Sequence, residues 1–328
     1  MRPKIYLTQP VAASAIARLE AIADVTINSD PLHIATKDEL LKAAREHDII
    51  FCLLHDKIDA EIINANPRLK AIASMTITPA DIDIAAATAR KLPVTVIPAL
   101  LLNDATADLA WALLMATARR VAEGDRLMRS GVFPGSQSSY MVGNGVSRKT
   151  LGLIGVGGVG TAMAQRARGF SMPVIYHDPK RLTPDKEHTL GATWMPFDDV
   201  LRNADFVSLH VQLTPETRHL IGAAQFALMK PTAYLINSSR GPVIKELALV
   251  QALKEKRIAG AGLDVYEHEP RPHPDLLQMN NVVCSPHTGS AVRELREAMA
   301  NVVVDNILSI LDGKQPPNCW NADIYHNI

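Results

Sequence analysis

The chain has 328 residues, enough for two domains with separate cores, and its 34 basic side chains balance 34 acidic ones. Zero net charge and the lack of any basic block point away from nucleic acid and from anionic membrane surfaces as partners. Cys52, Cys284 and Cys319 are far apart and form no C-x-x-C pair, so neither a disulfide framework nor a metal site is expected. The N-terminus turns polar too soon for a signal peptide, and the longest apolar uncharged run, residues 109–118, is too short to span a bilayer. A soluble, cytoplasmic protein is the expectation.

In chain order, residues 4–8 read as a short strand and 12–23 as a helix with Ala15, Ile16, Leu19 and Ala23 on one face. Residues 25–27 make the next strand. Thr36-Lys-Asp-Glu39 is a capping-box pattern that opens a helix through Leu40, Leu41 and Ala44. The apolar run 49–54 predicts a buried parallel strand. Asp59 is placed to cap a short helix carrying Ile62 and Ile63. Residues 69–75 give another strand, and Thr78-Pro79-Ala80-Asp81 reads as a helix start. Residues 93–97 close a first α/β unit. Residues 104–129 contain no Pro and predict one long helix, whereas 131–145 read as a loop.

A second unit starts near Thr150. Its expected strands are Leu151–Ile154, Val174–His177, 206–211, 233–237, 260–265 and Val282–Cys284. Helical patterns lie between most of them, among them 242–256, and a last helix covers 291–311 before Asp312-Gly313. Residues 314–328 show little pattern. The fold class is therefore α/β with two doubly wound parallel-sheet domains.

The strand Leu151–Ile154 runs into Gly155, Gly157 and Gly160 at the G-x-G-x-x-G spacing, and a helical segment follows. That context gives the motif its meaning: a tight turn, a close backbone approach for a pyrophosphate, and a helix N-terminus aimed at the phosphates. Asp178 ends the second strand, about 20 residues past the turn, where a carboxylate accepts the ribose 2′-OH of NAD and repels the 2′-phosphate of NADP. NAD is the expected cofactor, with NADP the lesser alternative because Lys180 and Arg181 stand nearby.

In doubly wound folds chemistry sits past the carboxyl ends of strands. Arg240, Glu269 and His287 occupy such positions. An Arg binds a carboxylate bidentately, a His carries the proton that moves when a carbonyl becomes a hydroxyl, and a Glu fixes the His tautomer.

The segments N-S-S-R-G (237–241), G-L-D-V-Y-E-H-E-P (262–270), S-P-H-T-G-S-A (285–291) and D-A-T-A-D-L-A (104–110), with the glycine fingerprint, resemble in order and spacing those of the D-isomer-specific 2-hydroxyacid dehydrogenases. The resemblance spans nearly the full chain. It implies that Arg240, Glu269 and His287 are catalytic. It implies cofactor contacts at Thr106, Gly155, Gly157, Gly158, Val159, Gly160, Asp178, Val211, Thr217, Ser238, Asp264 and Gly289, with Asp264 on the nicotinamide carboxamide. It implies substrate contacts at Leu54, Met75, Thr76, Ile77 and Arg240. The implied domains are a flavodoxin-like substrate domain (1–103 with 290–328) and a Rossmann cofactor domain (104–289), and the implied assembly is a homodimer with 104–129 at its core.

Within the family, residues 148–152, 168–176 and 317–321 look most like the glyoxylate/hydroxypyruvate reductases that also accept 2-ketogluconate. NADPH-preferring members of that group carry basic residues where Asp178 stands, so Asp178 favours NAD. The family's glycine-bearing substrate loop is replaced here by Ser74-Met75-Thr76-Ile77-Thr78-Pro79, whose threonine hydroxyls suggest a larger, hydroxylated acid. No lysine occurs between Lys70 and Lys91, which argues against phosphite, the substrate of relatives with a lysine there. The 131–145 loop has Phe133 and Tyr140 but lacks the tryptophan that relatives extend to a partner subunit. The expected reaction is reversible reduction of a 2-oxo acid to a D-2-hydroxy acid. The alternative is an NAD-sensing, corepressor-like scaffold with little turnover.

Overall fold

A computed structural model describes residues 2–79 and 81–326, in two compact units: Met1–Leu101 with Val292–Ile328, and Leu102–Ala291. Each is built on one parallel sheet, as alternating strand and helix patterns require.

The first sheet contains β1 (Lys4–Leu7), β2 (Asp24–Ile27), β3 (Ile49–Cys52), β4 (Ala71–Ser74) and β5 (Val94–Thr95), in the order β2-β1-β3-β4-β5. Every residue of β3 and β4 is buried, which explains why both read as apolar runs without alternation. Ile50, Cys52 and Ile72 form a core with Leu40, Ile62 and Ala87 from the helices Lys37–Glu46, Ala60–Asn64 and Ile84–Ala89. The capping box forms: Glu39 N donates to Thr36 Oγ1, and Thr36 N donates to Glu39 Oε2 at 2.7 Å. Helix Ala13–Glu20 lies along the terminal helix Arg293–Leu311, tied by Arg18 to Asp305 at 2.6 Å and by Ser14 to Glu297 at 2.7 Å.

Two expectations fail in this unit. No helix starts at Thr78, and Ala80 of that pattern lies outside the described residues. Ile82 N donates to Pro79 O at 3.1 Å in a turn, Ile58 pairs with Ile82, and Asp83 N donates to Ile58 O at 2.9 Å, so the helix starts only at Ile84–Ala89, capped by Asp83. The tail, which shows little pattern in sequence, straps the edge strand. Val96 N donates to Asn318 O at 3.0 Å, and Trp320 N to Val94 O at 2.8 Å.

The second sheet contains β6 (Leu151–Ile154), β7 (Val174–His177), β8 (Ala192–Trp194), β9 (Phe206–Leu209), β10 (Tyr234–Asn237), β11 (Gly260–Leu263) and β12 (Val282–Cys284). Its order is β12-β11-β10-β9-β6-β7-β8, so the winding reverses between β6 and β9, where such folds bind ligands beyond the strand ends. Helices cover both faces. One core joins Val200, Leu249 and Leu253 to Leu209 and Leu235; the other joins Ala107, Leu113 and Met163 to Leu153 and Ile236. The sequence reading missed β8, of whose three residues only Ala192 is buried, so it carries no apolar run.

The expected single helix over 104–129 is two helices, Asn103–Ala118 and Val121–Arg129, separated by Arg120 at φ 54°. Neither Pro nor Gly marks the break. Asn144 N takes Ala118 O at 2.8 Å, while the Arg120 guanidinium turns to Glu123 at 2.8 Å. Ala99–Ala118 has the length and hydropathy of a membrane span. Its Asp104 and Asp108 pair with Arg166 at 3.2 and 2.6 Å, and Ala107, Ala110, Leu113 and Leu114 enter the second core. The sheet it packs on accounts for its apolar face.

Candidate active site

The glycine turn joins β6 to the helix Gly158–Gly169. Gly155 has φ +89°, and a Cβ there would stand 2.6 Å from His210 O at the end of β9. Glycine is needed both for the left-handed turn and for that approach. A Cβ on Gly157 would meet nothing within 4 Å, so the helix start faces open space, with backbone N–H groups for an anion. A Cβ on Gly160 would fall 2.2 Å from Gly155 O, so only glycine lets the helix close on the turn. Gly158 and Val159 form the first helical positions.

Asp178 follows β7 directly. Its Oδ2 accepts from Val156 N at 3.1 Å and its Oδ1 from Lys180 N at 2.9 Å, which fixes the carboxylate beside the glycine turn. Ser238, past β10, is 7% exposed, and its Oγ has no partner among the described residues. A buried hydroxyl in that state is suited to a ligand's polar group. Val211 flanks Gly155, and Thr106 lies against Gly289. The Thr217 hydroxyl donates to Gln212 O at 2.5 Å and accepts from Thr214 N at 2.7 Å, so it braces its own loop. These features fit a bound dinucleotide. The sequence reading missed His210. Burial pushes its imidazole down to about 3, its Nε2 meets Ser208 Oγ at 2.8 Å, and its Nδ1 has no partner among the described residues.

Arg240, Glu269 and His287 follow β10, β11 and β12, and the sheet order brings these three strand ends side by side. Asn237 shapes the first segment: its Nδ2 donates to Arg240 O at 3.1 Å, and its Oδ1 accepts from Ser239 N at 3.0 Å. Among the described residues the Arg240 side chain donates one hydrogen bond, Nη1 to Ser239 O at 2.7 Å, so other N–H donors remain for a ligand. Burial lowers the Arg240 pKa, and the Glu269 carboxylate opposes that shift. His287 Nδ1 lies 2.8 Å from Glu269 Oε2, and Glu269 Oε1 accepts from Tyr266 N at 3.0 Å. A carboxylate at Nδ1 keeps the proton there and assigns proton exchange to Nε2.

His287 has φ 53°, a left-handed backbone that its surroundings must hold. Asp264 does so. Its carbonyl accepts from His287 N at 2.9 Å, its Oδ1 accepts from Ser285 Oγ at 2.5 Å and Thr288 N at 2.7 Å, and its Oδ2 accepts from Gly289 N at 2.8 Å. The resemblance places Asp264 on the nicotinamide carboxamide. In the structure its carboxylate also grips the turn that carries His287. Nothing in the local sequence signals this, because the partners lie more than 20 residues away.

In the first unit, Leu54, Met75, Thr76 and Ile77 lie just past β3 and within the loop after β4. Ser74 Oγ and Thr76 Oγ1 are 2.6 Å apart, and Thr76 Oγ1 donates to Thr78 O at 2.8 Å. Met75 N donates to Cys52 O, and Ile97 N to Thr76 O. No described residue of 74–79 has positive φ, so this path makes no demand for glycine. The Thr76 hydroxyl is engaged in holding the loop.

Residues 111–289 match the family model for the NAD-binding domain of the D-isomer-specific 2-hydroxyacid dehydrogenases. The glyoxylate reductase of Thermococcus litoralis is 43% identical over 328 residues, covering 99% of this chain and 98% of that one. A glyoxylate reductase structure from Paecilomyes thermophila matches with TM-score 0.81 at 30% identity, covering 97% of this chain and 99% of that one. The NADPH-dependent glyoxylate/hydroxypyruvate reductase of Sinorhizobium meliloti, solved with NADP and malonate, matches with TM-score 0.79 at 29% identity and 98% coverage of both chains. The chain belongs to the D-isomer-specific 2-hydroxyacid dehydrogenase family. It is a hydride-transferring, NAD(P)-dependent oxidoreductase, and the scaffold alternative finds no support among these reductases.

Proposed function

We propose that the protein reduces a small 2-oxo acid of the glyoxylate type to the corresponding D-2-hydroxy acid, reversibly and with NADH as the main reductant. The observation that carries this reading is the His287–Glu269 pair at 2.8 Å with a half-buried Arg240 that has donors to spare. NADH, when bound, supplies the hydride that reaches C2 of the substrate. Arg240 binds the substrate carboxylate and polarises the carbonyl through charge-assisted hydrogen bonds. His287, carrying protons on both ring nitrogens, donates from Nε2 to the carbonyl oxygen as negative charge develops there. Glu269 holds the ring and balances the imidazolium. In the oxidative direction the neutral imidazole takes the proton back. The names of the relatives support glyoxylate, and the Asp178 carboxylate supports NADH over NADPH.

The test is turnover. Glyoxylate, hydroxypyruvate and 2-ketogluconate are each assayed with NADH and with NADPH, for wild type and for His287→Ala. The variant is expected to lose about 10²–10⁴-fold in kcat with NADH affinity intact. An unchanged kcat removes His287 from the mechanism, and no turnover with any 2-oxo acid removes the reaction.

The homodimer belongs to the same proposal. Val121 and Met128 on the helix Val121–Arg129, with Val132, Phe133 and Val142 beyond it, are large exposed apolar side chains on one stretch of chain, which suits a partner subunit. Light scattering at micromolar concentration checks it; a monomer there rejects it.

A further inference from the structure

The segment that carries Glu269 is held by groups that the reaction itself does not require. Glu246, at the start of the helix Glu246–Lys254, is 7% exposed. Its Oε2 accepts from Glu267 N at 2.9 Å, and its Oε1 accepts from His273 N at 2.5 Å. One buried carboxylate thus closes both ends of 267–273. The contact is reciprocal, because Glu246 N donates to Glu267 Oε2 at 2.8 Å. Lys245, the N-cap, makes no side-chain capping bond, so the Glu267 carboxylate serves an orphan donor of that helix from 21 residues away.

The other oxygen of Glu267 pairs with His219 Nε2. Burial alone would raise the Glu267 pKa, but the Glu246 contact and His219 outweigh it and hold the carboxyl below its usual range. His219 is itself fixed: its N donates to Pro242 O at 2.7 Å, and Ile221 bridges Ile244. The strip 219–221 is therefore zipped to 242–245, directly after Arg240. On the same strip, a Cβ on Gly241 would fall 1.7 Å from Tyr266 O, so the backbone after Arg240 lies flat against the peptide that leads to Glu269.

We propose that Glu246, Glu267 and His219 form a clasp that positions Glu269 for His287 and sets Arg240 beside both, with all three acting as positioning residues that touch no substrate. The clasp joins the segments after β10 and β11 through side chains, where the sheet ladder has already ended. The proposal rests on the reading of Glu269 and His287 as the acid–base pair.

Glu246→Gln tests it, since a side-chain amide offers one acceptor oxygen where two backbone donors need one each. The expected result is a fall in kcat of about tenfold, the size of a sub-ångström misplacement, with KM for NADH unchanged and the pH profile of kcat/KM displaced. A lower melting temperature with unaltered kcat and pH profile overturns the proposal, leaving the clasp purely structural. Glu267→Gln keeps an oxygen for Glu246 N but loses the charge opposite His219, and it is expected to show a smaller loss of the same kind. It decides the matter if Glu246→Gln does not fold. His287→Ala in the same series separates the two readings. Retained activity there means that the acid–base assignment is wrong; lost activity there with normal clasp variants means that the clasp alone is wrong.

Discussion

The turn after β6 and the loop after β4 begin alike. Each leaves a four-residue, fully buried parallel strand at its carboxyl end, one in each sheet. Beyond that point they diverge. The β6 turn is made by backbone: a left-handed Gly155, an open Gly157 and a helix start. The β4 loop is made by side chains, with Ser74, Thr76 and the Thr78 carbonyl linked in series and no positive φ among its described residues. A pyrophosphate is the same in every dinucleotide and is met by main-chain donors at fixed spacing, so residue choice there is confined to what the backbone path permits. The β4 loop has no such constraint, and its side chains are freer to vary.

The comparison breaks first at Gly155. Gly155→Ala adds a Cβ at φ +89° and 2.6 Å from His210 O, so a loss of about 2–5 kcal/mol in stability is expected, with weaker NADH binding. Urea unfolding and NADH fluorescence titration read both; wild-type values would mean that the turn does not depend on backbone geometry. Next comes Asp178→Ala, which removes a carboxylate fixed by two backbone N–H groups. Kinetics with the two cofactors should show the NADPH-over-NADH preference rising about 10–100-fold, the worth of one charged hydrogen bond. An unchanged ratio would take Asp178 out of cofactor choice.

His210, which backs the glycine turn, ties that side of the comparison to pH. Its imidazole is pushed from 6.5 down to about 3 by burial, so the folded state resists a proton that the unfolded chain accepts. The stabilising contribution is complete above the unfolded pKa and is lost as pH falls from there towards the folded value, at no more than about 1.4 kcal/mol per pH unit. Melting temperatures across that window should fall less steeply for His210→Gln; equal slopes would mean that the ring titrates normally.

The smallest effect is expected at Thr76→Val. It should reduce stability by about 1 kcal/mol through the lost Ser74–Thr76–Thr78 series, with kcat/KM for glyoxylate nearly unchanged. A large loss of kcat/KM would show that the hydroxyl leaves this series to bind substrate, and it would make the two strand ends functionally alike.

Much of this was legible locally. The apolar run into three spaced glycines, the acid that ends β7, and the positions of Arg240, Glu269 and His287 after strands all follow from short-range pattern. The capping box at Thr36 is equally local. The misses share one cause. The helix over 104–129 breaks because Asn144 captures Ala118 O, and the helix expected at Thr78 starts later because Ile58 pairs with Ile82. The tail gains structure only by lying on β5. Asp264 turns to 285–289, and Glu246 to 267–273, in each case towards partners more than 20 residues distant.

By itself the sequence determined the two α/β units, the dinucleotide turn and the strand-end positions of Arg240, Glu269 and His287. Strand burial, a left-handed glycine and a strand-end position are properties of a few consecutive residues. Tertiary structure alone decided how those side chains are held: Asp264 on the His287 turn, the clasp on Glu269, and the closed hydroxyl series at Thr76. A carboxylate or hydroxyl has no preferred partner in sequence. The strand order chooses one, by bringing together segments that the chain keeps far apart.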